Sequence, residues 1–177
     1  IKDNLAAAEK WISYYLSKST DYIVKITNNF GDWLAPADTS DADVINQCFF
    51  GYSLKLISKC LRAVRDFEKQ SEYERLYAES KAAFRRTYYR DGRIKGDTQT
   101  VYALAYAVGF VTAEEIKKPL SDAVKRNGNA LATGFIGSRF LLPALCDAGE
   151  SELAYEIITR TEYPSWGYML KNGATTV

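Results

Sequence analysis

At 177 residues, 47% hydrophobic and 25% charged, the chain has a single-domain length and too much apolar content for a disordered segment. Lys plus Arg number 23 against 22 Asp plus Glu, with no basic stripe, which argues against nucleic acid and anionic membranes as partners. Histidine is absent, which removes Ser-His-Asp and Cys-His chemistry and histidine-ligated zinc from this chain; Cys48, Cys60 and Cys146 lack metal-ligand spacing, so no cofactor is expected. An odd cysteine count argues against a complete disulfide framework, and each cysteine falls among apolar residues of an expected helix. No signal-peptide pattern or membrane-length apolar run is visible. The chain opens without Met in what reads as the middle of a helix and stops at Ala174-Thr175-Thr176-Val177, directly after a turn, so it reads as a piece of something longer.

In chain order, Leu5, Ala8, Trp11, Ile12, Tyr15 and Leu16 form a helical stripe over about residues 2–18. Residues 21–29 read as irregular and lead into Phe30-Gly31-Asp32-Trp33-Leu34-Ala35-Pro36, a segment shaped by a glycine before the acid and a proline after the apolar step. Asp38-Thr39-Ser40-Asp41 supplies helix-start residues for a long helix over 42–65. Ser71 and Glu74 read as a capping box opening an amphipathic helix that Asp91-Gly92 breaks. A helix from about 98 to 109 is apolar all round, which predicts burial. Thr112 and Glu115 form a second capping box, with Pro119 expected to kink or split the helix that follows. Residues 131–138 read as a glycine-punctuated loop feeding an apolar helix from about 139. Ser151 is expected to cap another helix, and residues 163–173 to form a loop or short hairpin.

Helices apolar all round (from about 42, 98 and 139) thus alternate with amphipathic ones (from about 72, 113 and 151). Links leaving an apolar helix are short; links entering one are long and rich in Gly, Trp, Thr and Asp. Sequential antiparallel helical hairpins place all the long links on one face, so the expected fold is all-α, with inner and outer helices and one loop-bearing rim.

The rim segments 30–41, 90–100, 131–138 and 163–176 carry the candidate binding residues Asp32, Trp33, Asp97, Gln99, Phe135 and Trp166. An aromatic ring beside a carboxylate suits a sugar, whose C–H face stacks on the ring while its hydroxyls donate to the acid. Each residue has a structural alternative. Trp33 is either that ring or a core side chain, and Asp32 either a sugar acceptor or a turn or capping residue. Asp97 is either a sugar contact or the cap of the next helix. Gln99, inside the first turn, either points at the rim or packs in it, and Trp166 is either a platform or a plug.

Read in order, these stretches resemble a known family. They are Gly31-Asp32-Trp33-Leu34-Ala35-Pro36, Asp97-Thr98-Gln99-Thr100 with Tyr102-Ala103-Leu104-Ala105, Thr133-Gly134-Phe135-Ile136-Gly137, Leu141-Leu142-Pro143-Ala144-Leu145 with Asp147-Ala148-Gly149, Leu153-Ala154-Tyr155, Tyr163-Pro164-Ser165-Trp166 and Gly173-Ala174-Thr175-Thr176. Together they are similar to the second half of the catalytic domain of bacterial α-L-rhamnosidases, glycoside hydrolase family 78, from about Gly31 onward. The resemblance implies a six-hairpin (α/α) toroid that hydrolyses terminal α-L-rhamnosides with inversion, and a rhamnose-containing glycoside or polysaccharide as partner. It also implies a general-acid glutamate in a segment preceding this sequence and a base glutamate in a Trp-Glu pair directly after Gly-Ala-Thr-Thr, where this sequence ends. No catalytic residue is therefore assigned within the chain, although inversion needs both carboxylates, about 6.5–9.5 Å apart.

On this reading the 177 residues form one helical unit, with roughly half of the twelve helices of a closed ring. Val101, Tyr106 and Leu141 are then expected to be partly uncovered, or covered by the missing half of the domain or a second copy. Two other classes compete. A non-catalytic helical scaffold would show a common repeat, and none is visible across 42–70, 71–111 and 112–150. A helical-toroid lyase or epimerase would want a histidine or a basic tyrosine pair.

Overall fold

The computed structural model describes residues 1–27 and 30–176; the last two residues of the stretch 21–29, and Val177, lie outside it. That stretch is not irregular throughout, since Ile23 and Val24 pair in a β hairpin. Among the described residues the helices are α1 (Lys2–Ser17), α2 (Ala42–Ala63), α3 (Phe67–Tyr88), α4 (Gln99–Val108), α5 (Ala113–Arg126), α6 (Phe135–Asp147), α7 (Ser151–Thr159) and α8 (Trp166–Lys171). Two small antiparallel hairpins accompany them, β1 (Ser19–Thr20) with β2 (Ile23–Val24) and β3 (Tyr89–Arg90) with β4 (Arg93–Ile94). The all-α class and the antiparallel hairpins are as expected. Asp91-Gly92 does more than end α3: both residues have positive φ, the geometry of a two-residue turn, and the chain folds straight back as β4.

Three helical hairpins stack in a row. α2 pairs with α3, α4 with α5 and α6 with α7, while α2 and α6 both pack on α4. α4 is the buried centre, with Val101 through Ala105 and Val108 enclosed. Its C-terminal carbonyls are met by side chains from two neighbouring helices: Lys55 Nζ and Tyr77 OH donate to Val108 O, and Lys81 Nζ to Gly109 O. Such donors replace the hydrogen bonds that a helix end lacks. Gln47, fully buried on α2, ties in the β1–β2 hairpin by accepting from Val24 N and donating to Tyr22 O and to Ser80 Oγ.

Several local expectations change. α3 starts a turn before Ser71, because Asp66 caps it by accepting from Lys69 N. Ser71 then lies inside the helix and its hydroxyl donates back to Phe67 O. The Thr112/Glu115 capping box is present, and α5 runs through Pro119 without a break. Its inward face, Ile116, Leu120, Ala123 and Val124, is fully buried, and such packing carries a helix past a weak residue. α6 begins at Phe135, four residues before the expected start, with no loop left between Phe135 and Ser138. Glu150, and not Ser151, is the N-cap residue of α7, and part of the expected 163–173 loop is helix α8.

The expected exposure of Val101 and Leu141 is not found. Val101 and Leu141 are fully buried, since α2, α5 and α6 surround α4, and only Tyr106 is half-buried, its hydroxyl on Asp147 Oδ2 at 2.8 Å. α6 is not buried all round: Arg139, Pro143 and Cys146 are exposed. Beside them Leu142, Pro143, Ile158, Trp166 and Leu170 line an apolar groove of about 420 Å³.

Arg85 joins α3 to the start of α5 through a forked contact with Glu115, Nη2 to Oε1 at 2.7 Å and Nη1 to Oε2 at 3.3 Å. The Arg85 hydrogen bond, helped by the Thr112 amide, holds the Glu115 carboxyl down to about 2 from its ordinary 4.5. A folded-state value below the unfolded one means stability that is full above about 4.5 and is lost as pH falls toward about 2. Glu115→Gln should therefore unfold at a lower temperature than wild type at neutral pH, and the gap should close as pH falls through this window. The gap will be modest, because both partners are partly exposed. A gap that persists unchanged at pH 2 would assign the loss to packing instead of charge. Thermal unfolding of both proteins across pH reads it directly.

Candidate functional site

The long links into α2, α4 and α6 meet at one end of the row. Ser40, at the close of the first link, shares a 2.7 Å hydroxyl–hydroxyl hydrogen bond with Thr98 at the close of the second. Asp32 reaches both Thr100 on α4 and the first turn of α6. Trp33 and Asp97 thus sit at the same end of the helices.

Asp32 is buried, and its carboxylate is filled. Oδ2 accepts from Thr100 Oγ1 and from Gly134 N at 2.8 Å; Oδ1 accepts from Ile136 N at 2.9 Å and Gly137 N at 3.1 Å. Trp33 O accepts from Phe135 N at 3.0 Å. The N-cap residue of α6 is Gly134, which has no side chain to offer. Asp32 and Trp33 therefore provide from another loop the acceptors for the amides of 134 through 137. A carboxylate at a helix N-terminus is favourable on hydrogen-bonding and dipole grounds alike. This close approach needs Gly134: a Cβ there would strike Trp33 O and lie 2.6 Å from Asp32 O and 2.8 Å from Ala35 N.

The clamp leaves aromatic rings facing outward. Trp33 is 55% exposed and Phe135 67%, with ring centroids 5.5 Å apart; Phe30, 86% exposed, lies 6.1 Å from Trp33. Leu34 is exposed beside them. Together they form a contiguous exposed apolar patch. Trp33 is not a core side chain.

The other candidates are placed differently. Gln99 is fully buried beneath the rim, its Nε2 donating to Ala130 O at 2.9 Å and its Oε1 accepting from Ala132 N at 3.1 Å, so it packs and does not point outward. Asp97 is not the cap of α4; Thr98 is, accepting from Val101 N. The Asp97 carboxylate sits in a charged cluster instead, accepting from Arg93 and Tyr102 OH and ion-paired with Arg126, whose guanidinium donates to the Asp97 carbonyl. Trp166 is half-buried at the start of α8, lines the apolar groove on α6 and packs against the core, closer to a plug than to a platform. Trp33 and Phe135 come together in one patch, which Gln99 and Trp166 do not join. Phe30 in the patch, and Thr100, Gly134 and Gly137 beneath it, were not singled out from sequence. Their signal was the pairing of Gly31-Asp32-Trp33 with Thr133-Gly134-Phe135-Ile136-Gly137, two stretches far apart in the chain.

Among the described residues no group of three His, Cys, Asp or Glu side chains is arranged to hold a metal ion, and no helix is long and apolar enough to cross a membrane.

Comparison with known proteins places this geometry. The chain is 33% identical over 190 residues to an alpha-L-rhamnosidase of Formosa agariphila, covering 100% of this chain and 20% of that protein. It is 31% identical over 182 residues to an alpha-L-rhamnosidase of Streptomyces avermitilis, covering 100% of this chain and 17% of that protein. It therefore spans about a fifth of the length of these relatives. The crystal structure of the Streptomyces avermitilis alpha-L-rhamnosidase complexed with L-rhamnose superposes with a TM-score of 0.92 at 28% identity, over 99% of this chain and 17% of that one. The alpha-L-rhamnosidase from Dictyoglumus thermophilum shares the fold, with a TM-score of 0.89 at 24% identity over 99% of this chain and 21% of that one. All of residues 1–177 match the bacterial alpha-L-rhamnosidase 6 hairpin glycosidase domain, and the chain belongs to that family.

Proposed function

We propose that the full-length protein carrying this chain hydrolyses terminal α-L-rhamnosides with inversion at the anomeric carbon, and that this chain contributes the sugar platform. The observation that supports it is the exposed Trp33–Phe135 pair, held on a satisfied backbone clamp at the loop-bearing end of the helices. Large exposed rings on rigid backbone suit a ligand with apolar C–H faces. The relative crystallised with L-rhamnose supports the choice of sugar.

The general acid and base are assigned outside these 177 residues. Two of the rim carboxylates are engaged, Asp32 by four donors and Asp97 by two arginines and a tyrosine. On an aryl α-L-rhamnoside the full-length protein should turn over, with the inverted β-anomer of rhamnose as the first-formed sugar by NMR. The isolated 177-residue chain should show no turnover above background, since acid and base catalysis each contribute about 10²–10⁴-fold. Rapid hydrolysis by the isolated chain would place the chemistry on its own carboxylates. Rhamnoside binding without turnover by the full-length protein would favour a non-catalytic carbohydrate-binding scaffold.

A further inference from the structure

We propose that Asp32 is a positioning residue, which sets the separation and tilt of the Trp33 and Phe135 rings without touching the sugar. This rests on the reading of those rings as the sugar platform.

The argument starts from valence. A carboxylate offers about four acceptor sites. Four donors occupy those of Asp32: Thr100 Oγ1, Gly134 N, Ile136 N and Gly137 N. The residue is 8% exposed, so a sugar hydroxyl would have to displace a backbone amide to reach it. Direct recognition by Asp32 is therefore disfavoured, although it adjoins the ring.

Connectivity then gives it a different task. Trp33 follows Asp32 in the chain, and Phe135 lies between two residues whose amides Asp32 holds, Gly134 and Ile136. The Trp33 carbonyl and the Phe135 amide are themselves hydrogen-bonded. Both ring-bearing residues thus hang from one clamp, with centroids at 5.5 Å and planes at 46°. Thr100 extends the clamp to α4, the most enclosed helix, so the ring geometry is referenced to the core and not to a free loop. Binding groups held this way need less ordering when ligand arrives.

Asp32→Asn keeps size and one acceptor oxygen. That oxygen can still serve Ile136 and Gly137, and the Thr100 hydroxyl can turn to accept. The Asn amide, however, faces the Gly134 N–H, donor against donor. In the full-length protein the variant should raise KM for an aryl α-L-rhamnoside about tenfold, the scale of one lost hydrogen bond to a charged group, with kcat changed less. Hydrogen exchange at the amides of 134, 136 and 137 should accelerate. Thr100→Val, which removes one donor and keeps shape, should move KM and exchange in the same direction by less, and serves if Asp32→Asn folds poorly.

A mutant cycle against the paired variant Trp33→Ala/Phe135→Ala is decisive. If Asp32 acts through the two rings, Asp32→Asn adds little to the KM of that variant. Additive effects would mean direct contact with the sugar and overturn the proposal. So would a raised KM in Trp33→Ala together with unchanged KM and exchange in Asp32→Asn and Thr100→Val. A fall in kcat and unfolding temperature with KM unchanged would reduce Asp32 to a structural brace. An unchanged KM in Trp33→Ala, with faster amide exchange in Asp32→Asn, would instead remove the platform reading itself and this proposal with it.

Discussion

Trp33→Ala in the full-length protein should lower kcat/KM on an α-L-rhamnoside by about 10²-fold, while the unfolding temperature falls by no more than a few degrees. The two halves of this expectation have separate origins. A Trp at the centre of a binding surface typically costs about 2–4 kcal/mol on truncation, and each 1.4 kcal/mol is a factor of ten. Stability is largely spared because the ring is more than half exposed and its neighbours Phe30 and Phe135 are exposed as well, so little buried surface is lost. Substitutions at such positions change stability by about 0.5 kcal/mol, well within a few degrees for a domain of this size. Steady-state kinetics and a thermal melt on the same sample check both halves. Full retention of kcat/KM would make Trp33 an incidental exposed hydrophobe.

Gly134→Ala should be the most damaging single-methyl change at the site, destabilising the domain by about 3 kcal/mol or more. Its φ of −89° suits any residue, so the penalty is not one of backbone strain. It comes from space. The new methyl would meet Trp33 O, Asp32 O and Ala35 N, all backbone atoms of a loop that cannot rotate away as a side chain can. Relieving the clash means lifting residues 32–35 off α6, which unties Asp32 and Trp33 from the amides of 134 through 137. Overpacking costs about 1–3 kcal/mol, and each amide stranded in a dry setting about 1–3 more. Gly128→Ala is the matched control. Gly128 has a positive φ and open space around it, so the cost there is about 1 kcal/mol of strain alone. Denaturant unfolding of the two variants side by side tests the ranking. A Gly134→Ala protein as stable as the Gly128→Ala one would mean that the loop is not seated on α6 as described.

The errors in reading the elements share a cause. Ser71 with Glu74 has the spacing of a capping box as good as that of Thr112 with Glu115, yet only the second is one. Asp66 lies just upstream of the first pair and wins the helix start. At α6 no Ser, Thr, Asp or Asn stands at the N-cap, so no local signal marks the start at Phe135. The cap exists but comes from Asp32. Local signals worked wherever a helix supplies its own ends.

The alternation of apolar and amphipathic helices, the one-ended arrangement of the long links and the family resemblance were all present in the amino-acid sequence, because helical periodicity and hairpin connectivity are short-range properties. The roles of the site residues were not. Asp32, Asp97 and Gln99 looked alike as polar groups near a rim. Their partners decided otherwise: Gln99 is occupied by backbone 31 and 33 positions away, and Asp32 by donors 68, 102, 104 and 105 positions away. Whether a carboxylate faces a ligand or is consumed by the protein depends on which donors the stacked hairpins bring within 3 Å of it. No local pattern encodes a contact across a hundred residues; only the packing of α4 and α6 against the Trp33 loop does.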